Sequence, residues 1–342
     1  QWKASGDAAL LGELWPAARK AWAWCLPHDT DGDGIIENTT GGLGAIEVGA
    51  IGEGIHQDVY LAAVWTRAAG AMAEMAEARG EPRLAAEARG LEAKARASIE
   101  SRYWIETAGH HAFGVLRSGR TNDTLTVWPA TAAAFSLFEP AHAARTLEAL
   151  SGHGLTSDWG ARMLTTESPL YDPTHYNMGA VWPFVTGFVA LGHYQYARPW
   201  AGYPLVDALS RMAFDWARGR HPELLSGAYY RPLDTAVPHQ FFATSMLVSP
   251  VAYGLLGFEP DAPGRRARLS PQLPPQWGTV RVTGLPVGDV RLGLAIEQEP
   301  GRLSIRLEPS GGPLVLSLRP RPSPGARGLA AAVDGVPVPV PP

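Results

Sequence analysis

From the N-terminus to about residue 256, apolar positions return every three to four residues, the spacing of helices with one buried face. Residues 7–24 read as an amphipathic helix that Asp7 can cap, with Pro16 expected to kink or restart it. Residues 54–79 read as a longer helix rich in Ala and Met. Residues 82–102 carry Glu, Lys and Arg on one face and Leu and Ala on the other, the pattern of an outer, solvated helix. Shorter helices are expected over 128–138 and 140–150, then over 179–196, 205–218 and 241–256. That makes about eight helices joined by loops of alternating length. The long loops, rich in Gly, Asp and Trp, fall at one end, as antiparallel hairpins arranged in a ring would place them.

Past residue 260 the texture changes. Pro and Gly rise, and short segments alternate: Val280-Arg281-Val282, Val290-Arg291-Leu292-Gly293-Leu294, Leu303-Ser304-Ile305-Arg306-Leu307 and Leu314-Val315-Leu316-Ser317-Leu318. β-branched residues in alternation between turn signals predict antiparallel strands. The tail, residues 336–342, alternates Val and Pro and reads as extended or frayed. The expected division is a helical domain over 1–259 and a β-rich domain over 260–342.

Composition narrows the functional classes. The 342 residues are 46% hydrophobic and 18% charged, a globular balance. A net charge of −4 with pI near 6.2 argues against a nucleic-acid partner or an anionic membrane surface. No apolar run is long enough for a transmembrane helix. Cys25, the single cysteine, excludes an intrachain disulfide and a cysteine-based metal site, and reads as a small buried hydrophobe. The chain opens on Gln1 rather than Met, which reads as part of a longer reading frame, so localisation is not legible. Tryptophan is the outlier: many of the 12 sit beside Gly, Pro or Asp rather than inside apolar runs, which favours a stacking surface.

The chemistry concentrates in three loops. Asp158-Trp159-Gly160-Ala161-Arg162 is followed by Tyr176-Asn177-Met178-Gly179-Ala180-Val181-Trp182-Pro183, and then by His221-Pro222-Glu223-Leu224-Leu225-Ser226-Gly227. Aromatic rings stack on pyranose faces, amide and guanidinium groups fork onto paired hydroxyls, and Glu223 is a candidate proton-transfer carboxylate. Upstream, Asp29, Asp31 and Asp33, with Glu37 as a further candidate ligand, have the alternating acids and glycines of a calcium loop; a hydrated acidic turn is the alternative. Glu47 lies between Ile46 and Val48, where partial desolvation would raise its pKa and suit a general acid. His56, Gln57 and Asp58 form a polar group at an expected helix start. They can grip hydroxyls, and Asp58 is the second choice for the acid.

These segments resemble the catalytic region of glycogen-debranching enzymes (amylo-α-1,6-glucosidase) and their glucoamylase-like relatives, which are inverting glycosidases. The resemblance runs from about Asp29 to Gly257 and is strongest between Asp158 and Gln240. It implies an all-α (α/α)6 toroid of six hairpins followed by a small antiparallel β-domain; with about eight helices read, the toroid is expected to be incomplete at its N-terminus. Residues 158–162 are similar to the family's Trp-Gly-Ile-Arg and residues 176–183 to its Tyr-His-Asn-Gly-Ser-Val-Trp-Pro. Residues 222–227 resemble Pro-Glu-Leu-Phe-Xaa-Gly, whose Glu is the general base. Glu47 falls where the family carries the acid in Thr-Trp-Met-Asp, although that motif is replaced here by Ala-Ile-Glu. Val237-Pro238-His239-Gln240-Phe241 resembles Cys-Xaa-Pro-Gln-Ala, which adds His239 and Gln240 to the substrate-binding set.

The expected activity is therefore cleavage of α-glucosidic oligosaccharide or branch linkages by two carboxylates, with a carbohydrate as partner and no cofactor required, a structural calcium in the acidic loop being the one candidate ion. Two alternatives stay open. One is an inactive carbohydrate-binding toroid. The other is a polysaccharide lyase using Tyr176, His175 and Arg162, which leaves Glu223 unexplained.

Overall fold

A computed structural model of the chain describes residues 1–47, 49–321, 326–327 and 329–339. Its helical part comprises α1 (Trp2–Ser5), α2 (Ala8–Cys25), α3 (Asn38–Gly41), α4 (Val59–Ala78) and α5 (Pro82–Tyr103). It continues with α6 (Pro129–Ala134), α7 (Pro140–Ser151), α8 (Pro183–Gln195), α9 (Pro199–Asp215) and α10 (Phe241–Ser249). Asp7 caps α2 by accepting from the Leu10 amide, as expected. The helix then runs through Pro16 without a break. Pro16 sits on the exposed side, so the Gly12 carbonyl it leaves unpaired stays within reach of water.

Other boundaries move as well: the helix expected over 205–218 spans Pro199–Asp215, and the one expected over 128–138 ends at Ala134. Residues 55–58 are a strand paired antiparallel with Gly114–Leu116, and α4 begins only at Val59. The helix expected over 179–196 begins at Pro183, where a proline costs no hydrogen bond. The one expected over 241–256 changes to a π-helical turn at Pro250–Leu255, because Pro250 cannot donate and the chain re-registers to bonds such as Leu256 N–H to the Val251 carbonyl.

The helices pack in pairs and in a row: α4 packs on α5, and α8 is packed by α6, α9 and α10. Close approach to α8 depends on small residues. A side chain at Gly187 would strike the backbone of Met246 in α10, and one at Gly192 would press on Ala133 in α6. α4 presents a buried stripe of Ala62, Ala69, Ala73 and Ala76 with Trp65 and Met72. α5, by contrast, buries only Ala85, Ala88, Ala95, Ile99 and Tyr103, as its charge pattern predicts.

The β-region holds an antiparallel meander of residues 279–287, 290–299 and 302–310. Its central strand buries Leu292, Leu294 and Ile296. The expectation of purely antiparallel strands needs correction, since Val315–Leu318 runs parallel to Arg266–Leu269. Nor is residue 336 the start of an extended tail: Val336–Val338 folds back on Ala331–Val333, whose turn Asp334-Gly335 adopts positive φ. Residues 340–342 of that expected tail lie outside the described residues. The helical and β parts are joined by polar ties. The Gln272 side-chain amide donates to the Tyr194 carbonyl at 2.9 Å, and the Gly288 and Ala262 amides donate to the carbonyls of Ala4 and Lys3 at the N-terminus.

His193 near the end of α8 is buried, with Nε2 3.3 Å from Ser151 Oγ. Burial, helped by the charge of Arg198, pushes its pKa down to about 3. Between about 6.5 and that value the unfolded chain binds a proton that the folded chain refuses, so stability is full above pH 6.5 and falls as pH drops below it. A loss of about 2 kcal/mol between pH 7.5 and 5 is expected from this group. Urea melts across that range should show a shallower pH slope for His193→Gln; an unchanged slope would assign the loss elsewhere.

Candidate active site

The three aromatic and acidic loops meet through backbone pairing. Val181 and Leu225 exchange both amide–carbonyl hydrogen bonds at 2.9 Å, Val181 also bridges to Arg162, and Leu225 to Pro232. Val181 and Leu225 are fully buried, packing with Met212 and against Trp159. Segments far apart in sequence are thus held in one short antiparallel stack. β-branched Val181 suits this extended, buried position.

Glu223 emerges from this stack nearly buried, 8% exposed. Its Oε1 accepts from the Tyr176 hydroxyl at 2.7 Å and from the Gln240 amide at 3.2 Å, and its Oε2 from the Val237 N–H at 3.2 Å. These three donors replace the water that burial takes from the carboxylate. The Tyr176 hydroxyl is pushed well up by burial, by its bond to Glu223 and by the negative charges of Glu223 and Glu47. Trp182 is not an open platform: it is 7% exposed, donates to the Tyr176 carbonyl at 2.8 Å and meets that ring edge-on at 4.5 Å, forming the wall behind it. Asn177 is buried too, its backbone N–H donating to His175 Nδ1.

Glu47 is exposed, not desolvated as its apolar neighbours suggested. Its loop nevertheless lies against the Tyr176 loop. Gly49 has φ +109°, and a side chain there would strike Met178 and press on His175. The negative charges of Glu47 and Glu223 are thus both felt at Tyr176.

Asp58 has a different task. It is 1% exposed and caps α4 through Leu61 N–H at 2.7 Å, while Oδ2 accepts from Asn38 Nδ2 at 2.7 Å and from Ala45 N–H at 2.8 Å. Gly44 must be glycine, since a side chain would collide with Asn38 and Asp58. Burial raises the Asp58 pKa against the pull of these bonds. With its oxygens so occupied, Asp58 anchors the loop that carries Glu47. Asn38, which the sequence reading missed, completes this anchor and also accepts from the Asp58 N–H.

Several expected sugar ligands are engaged elsewhere. Arg162 donates to the carbonyls of Gly227, His153 and Thr156, at 2.7, 3.0 and 3.3 Å, so its fork clamps the loops. Asp158 lines a separate cavity of about 440 Å³ between α7, α8 and α9, with Ser157, His193 and Arg211. His239 is exposed beside the site, while Gln240 reaches Glu223. Trp159 donates to the Ser226 carbonyl and continues into an aromatic group that sequence did not reveal: Tyr230 at 6.2 Å and, beyond it, Trp216 at 4.9 Å, both partly open to solvent. Consecutive Tyr229-Tyr230 was the available signal.

In the acidic loop most of the expected calcium ligands already have partners within the protein. Asp29, Asp31 and Asp33 do converge. However, Arg102 makes ion pairs with both Asp31 and Asp33, and its guanidinium stands where a cation would. Glu37 is fully buried and accepts from Thr30, Thr40 and the Asp31 amide, bonds that hold its pKa down against burial. His56 Nε2 lies 3.7 Å from Asp31 and 3.9 Å from Glu37, and Gln57 Nε2 donates to Asp33 at 3.0 Å. His56 and Gln57 thus brace this loop. Among the described residues no helix is long and apolar enough to cross a membrane.

With this geometry in hand, the relationships of the chain are clear. Residues 46–220, just over half of the chain, match the mannosylglycerate hydrolase MGH1-like glycoside hydrolase domain. The chain belongs to this glycoside hydrolase family, a six-hairpin class, and the match does not extend to glycogen debranching. It starts beside Glu47 and stops just short of Glu223. No curated protein matches the chain in sequence.

Among solved structures, a sialidase superposes on 90% of this chain and 30% of its own, with TM-score 0.75 and 12% identity. A GH78 family rhamnosidase of Bacillus sp. GL1 covers 95% of this chain and 32% of its own, with TM-score 0.61 and 15% identity. Both show the same fold, helical region and β-region together, and this chain spans about a third of their length. A GH63 mannosylglycerate hydrolase from Thermus thermophilus covers 56% of this chain and 44% of its own, with TM-score 0.46 and 18% identity.

Removing the Asp58 anchor is a test of its role. Asp58→Ala leaves the Leu61 and Ala45 amides and the Asn38 side chain without their acceptor, and about 2–4 kcal/mol of stability should be lost in a urea melt. Unchanged stability would return Asp58 to the list of candidate acids.

Proposed function

We propose that the chain carries an inverting glycosidase site in which Glu223 is the general base and Glu47 the general acid, cleaving an α-glucosidic linkage in an oligosaccharide or branch. The observation that carries this reading is the cradle of Glu223: a nearly buried carboxylate held by Tyr176, Gln240 and the Val237 amide at the meeting point of three loops. Such a group is ready to accept a proton from a water placed against the anomeric carbon. Glu47, exposed in the free protein, gains the desolvation that keeps an acid protonated when a bound sugar excludes water around it. The aromatic run Trp159, Tyr230 and Trp216 supplies stacking faces on the way to the carboxylates. The family's description favours a second substrate, an α-mannoside.

Glu223→Gln is isosteric and keeps a hydrogen-bond partner for Tyr176. Turnover should fall about 10²–10⁴-fold while the thermal melt and sugar binding stay close to wild type. Near-normal turnover in this variant would remove Glu223 as the base. A panel of α-glucosides and α-mannosides, followed by NMR of the first-formed anomer, decides both substrate and stereochemistry. Sugar binding without turnover on any glycoside would favour the inactive binding module. Tyr230→Ala should raise KM several-fold with kcat nearly unchanged, since stacking binds ground and transition states alike; a fall in kcat alone would contradict a subsite role.

A further inference from the structure

We propose that Glu100, His111 and His142 form a binding site for one zinc-class divalent ion, independent of the Glu223 site. The three residues come from α5, from the short strand His110–His111 and from the first turn of α7. Their donor atoms all lie within 4.8 Å of one another. His111 Nε2 is 3.6 Å from Glu100 Oε1, and His142 Nδ1 is 2.6 Å from Glu100 Oε2. Metal–ligand bonds of about 2.0–2.1 Å at tetrahedral angles separate ligand atoms by about 3.4 Å, so small shifts suffice. The two imidazoles stand at 70° with centroids 6.2 Å apart, converging from different sides.

The independent sign is at His111. Its side chain has no exposure, and its Nε2 is buried with no hydrogen-bond partner, directed at Glu100 beyond bonding distance. Such an orphaned group calls for an explanation, and a metal ion is one that the neighbouring donors supply. The other ring nitrogen, Nδ1, is 2.8 Å from Thr146 Oγ1, and the ring stacks on Phe138 at 3.6 Å. This is how outer partners usually orient a metal-binding histidine. Glu100 is steadied in turn by the Glu139 N–H at 2.6 Å, and His142 by stacking on Trp104 at 3.8 Å.

His142 keeps 32% of its side chain exposed, which gives an ion a way in and leaves room for water as fourth ligand. Unlike the acidic loop, where Arg102 fills the cation's place, Glu100 has only these two histidines as ion-pair partners among the described residues. Two imidazole nitrogens and one carboxylate select zinc and its transition-metal neighbours over calcium or magnesium. The ion would tie α5, the 110–111 strand and α7 together, with no part in turnover.

The test is titration of the chelator-treated chain with Zn²⁺ by calorimetry, with Co²⁺ absorption as a report on geometry. One equivalent should bind, the melting temperature should rise by several degrees, and Co²⁺ should give the visible bands of a tetrahedral N/O site. His142→Ala, at a half-exposed position that the fold tolerates, and Glu100→Gln should each weaken binding at least tenfold. Asp31→Asn should leave it unchanged. No saturable binding, or binding lost in Asp31→Asn but kept in His142→Ala, would overturn the proposal.

Discussion

The candidate site depends on one backbone interaction, the buried two-bond pairing of Val181 with Leu225. Buried amides and carbonyls must be paired, and these two residues satisfy each other across more than forty positions of sequence. Their pairing fixes Trp182 and Tyr176 on one side and Glu223 on the other. The Tyr176–Glu223 hydrogen bond is then a consequence of geometry already set. Arg162 reinforces the junction from outside by holding carbonyls of both neighbouring loops.

The helices hold this junction in place. α8 starts at Pro183, directly after the paired segment, and is enclosed by α6, α9 and α10 through glycine and alanine contacts. Because α8 cannot shift without disturbing three neighbours, neither can the loop that opens it. The Glu47 loop is held separately, by Asp58, Asn38 and Gly44 at the start of α4, and meets the Tyr176 loop only where Gly49 lets it come close. One carboxylate thus bonds to Tyr176 and a second lies on a neighbouring loop with its own support. One is nearly buried and held by donors, the other exposed. A difference in environment of this kind is what separates acid from base in two-carboxylate sites.

Much of the scaffold was legible because periodicity and breakers act locally. α5 and α7 follow their amphipathic patterns and initial prolines, and the meander at 279–310 follows its alternation. Glu223, Tyr176 and Gln240 were legible as chemistry, since their loop composition is unusual whatever the packing. Individual roles were less accessible. Arg162, His56 and Gln57 have the side chains of sugar ligands, yet each found a nearer partner: carbonyls for Arg162, the acidic loop for His56 and Gln57. The acidic loop itself reads as a calcium site until α5 brings Arg102 onto it from a distant part of the chain.

By itself the sequence determined the succession of the longer helices and of the meander strands, the loops that hold the reactive side chains and the carbohydrate chemistry those side chains suit, because spacing and residue type act over a few positions. Only the tertiary structure decided which carboxylate is buried and which exposed, that Asp58 is an anchor, and that Glu100, His111 and His142 converge. Those outcomes depend on burial and on partners tens of residues away. A side chain's free energy is set by the neighbours that packing gives it, and no local pattern records them.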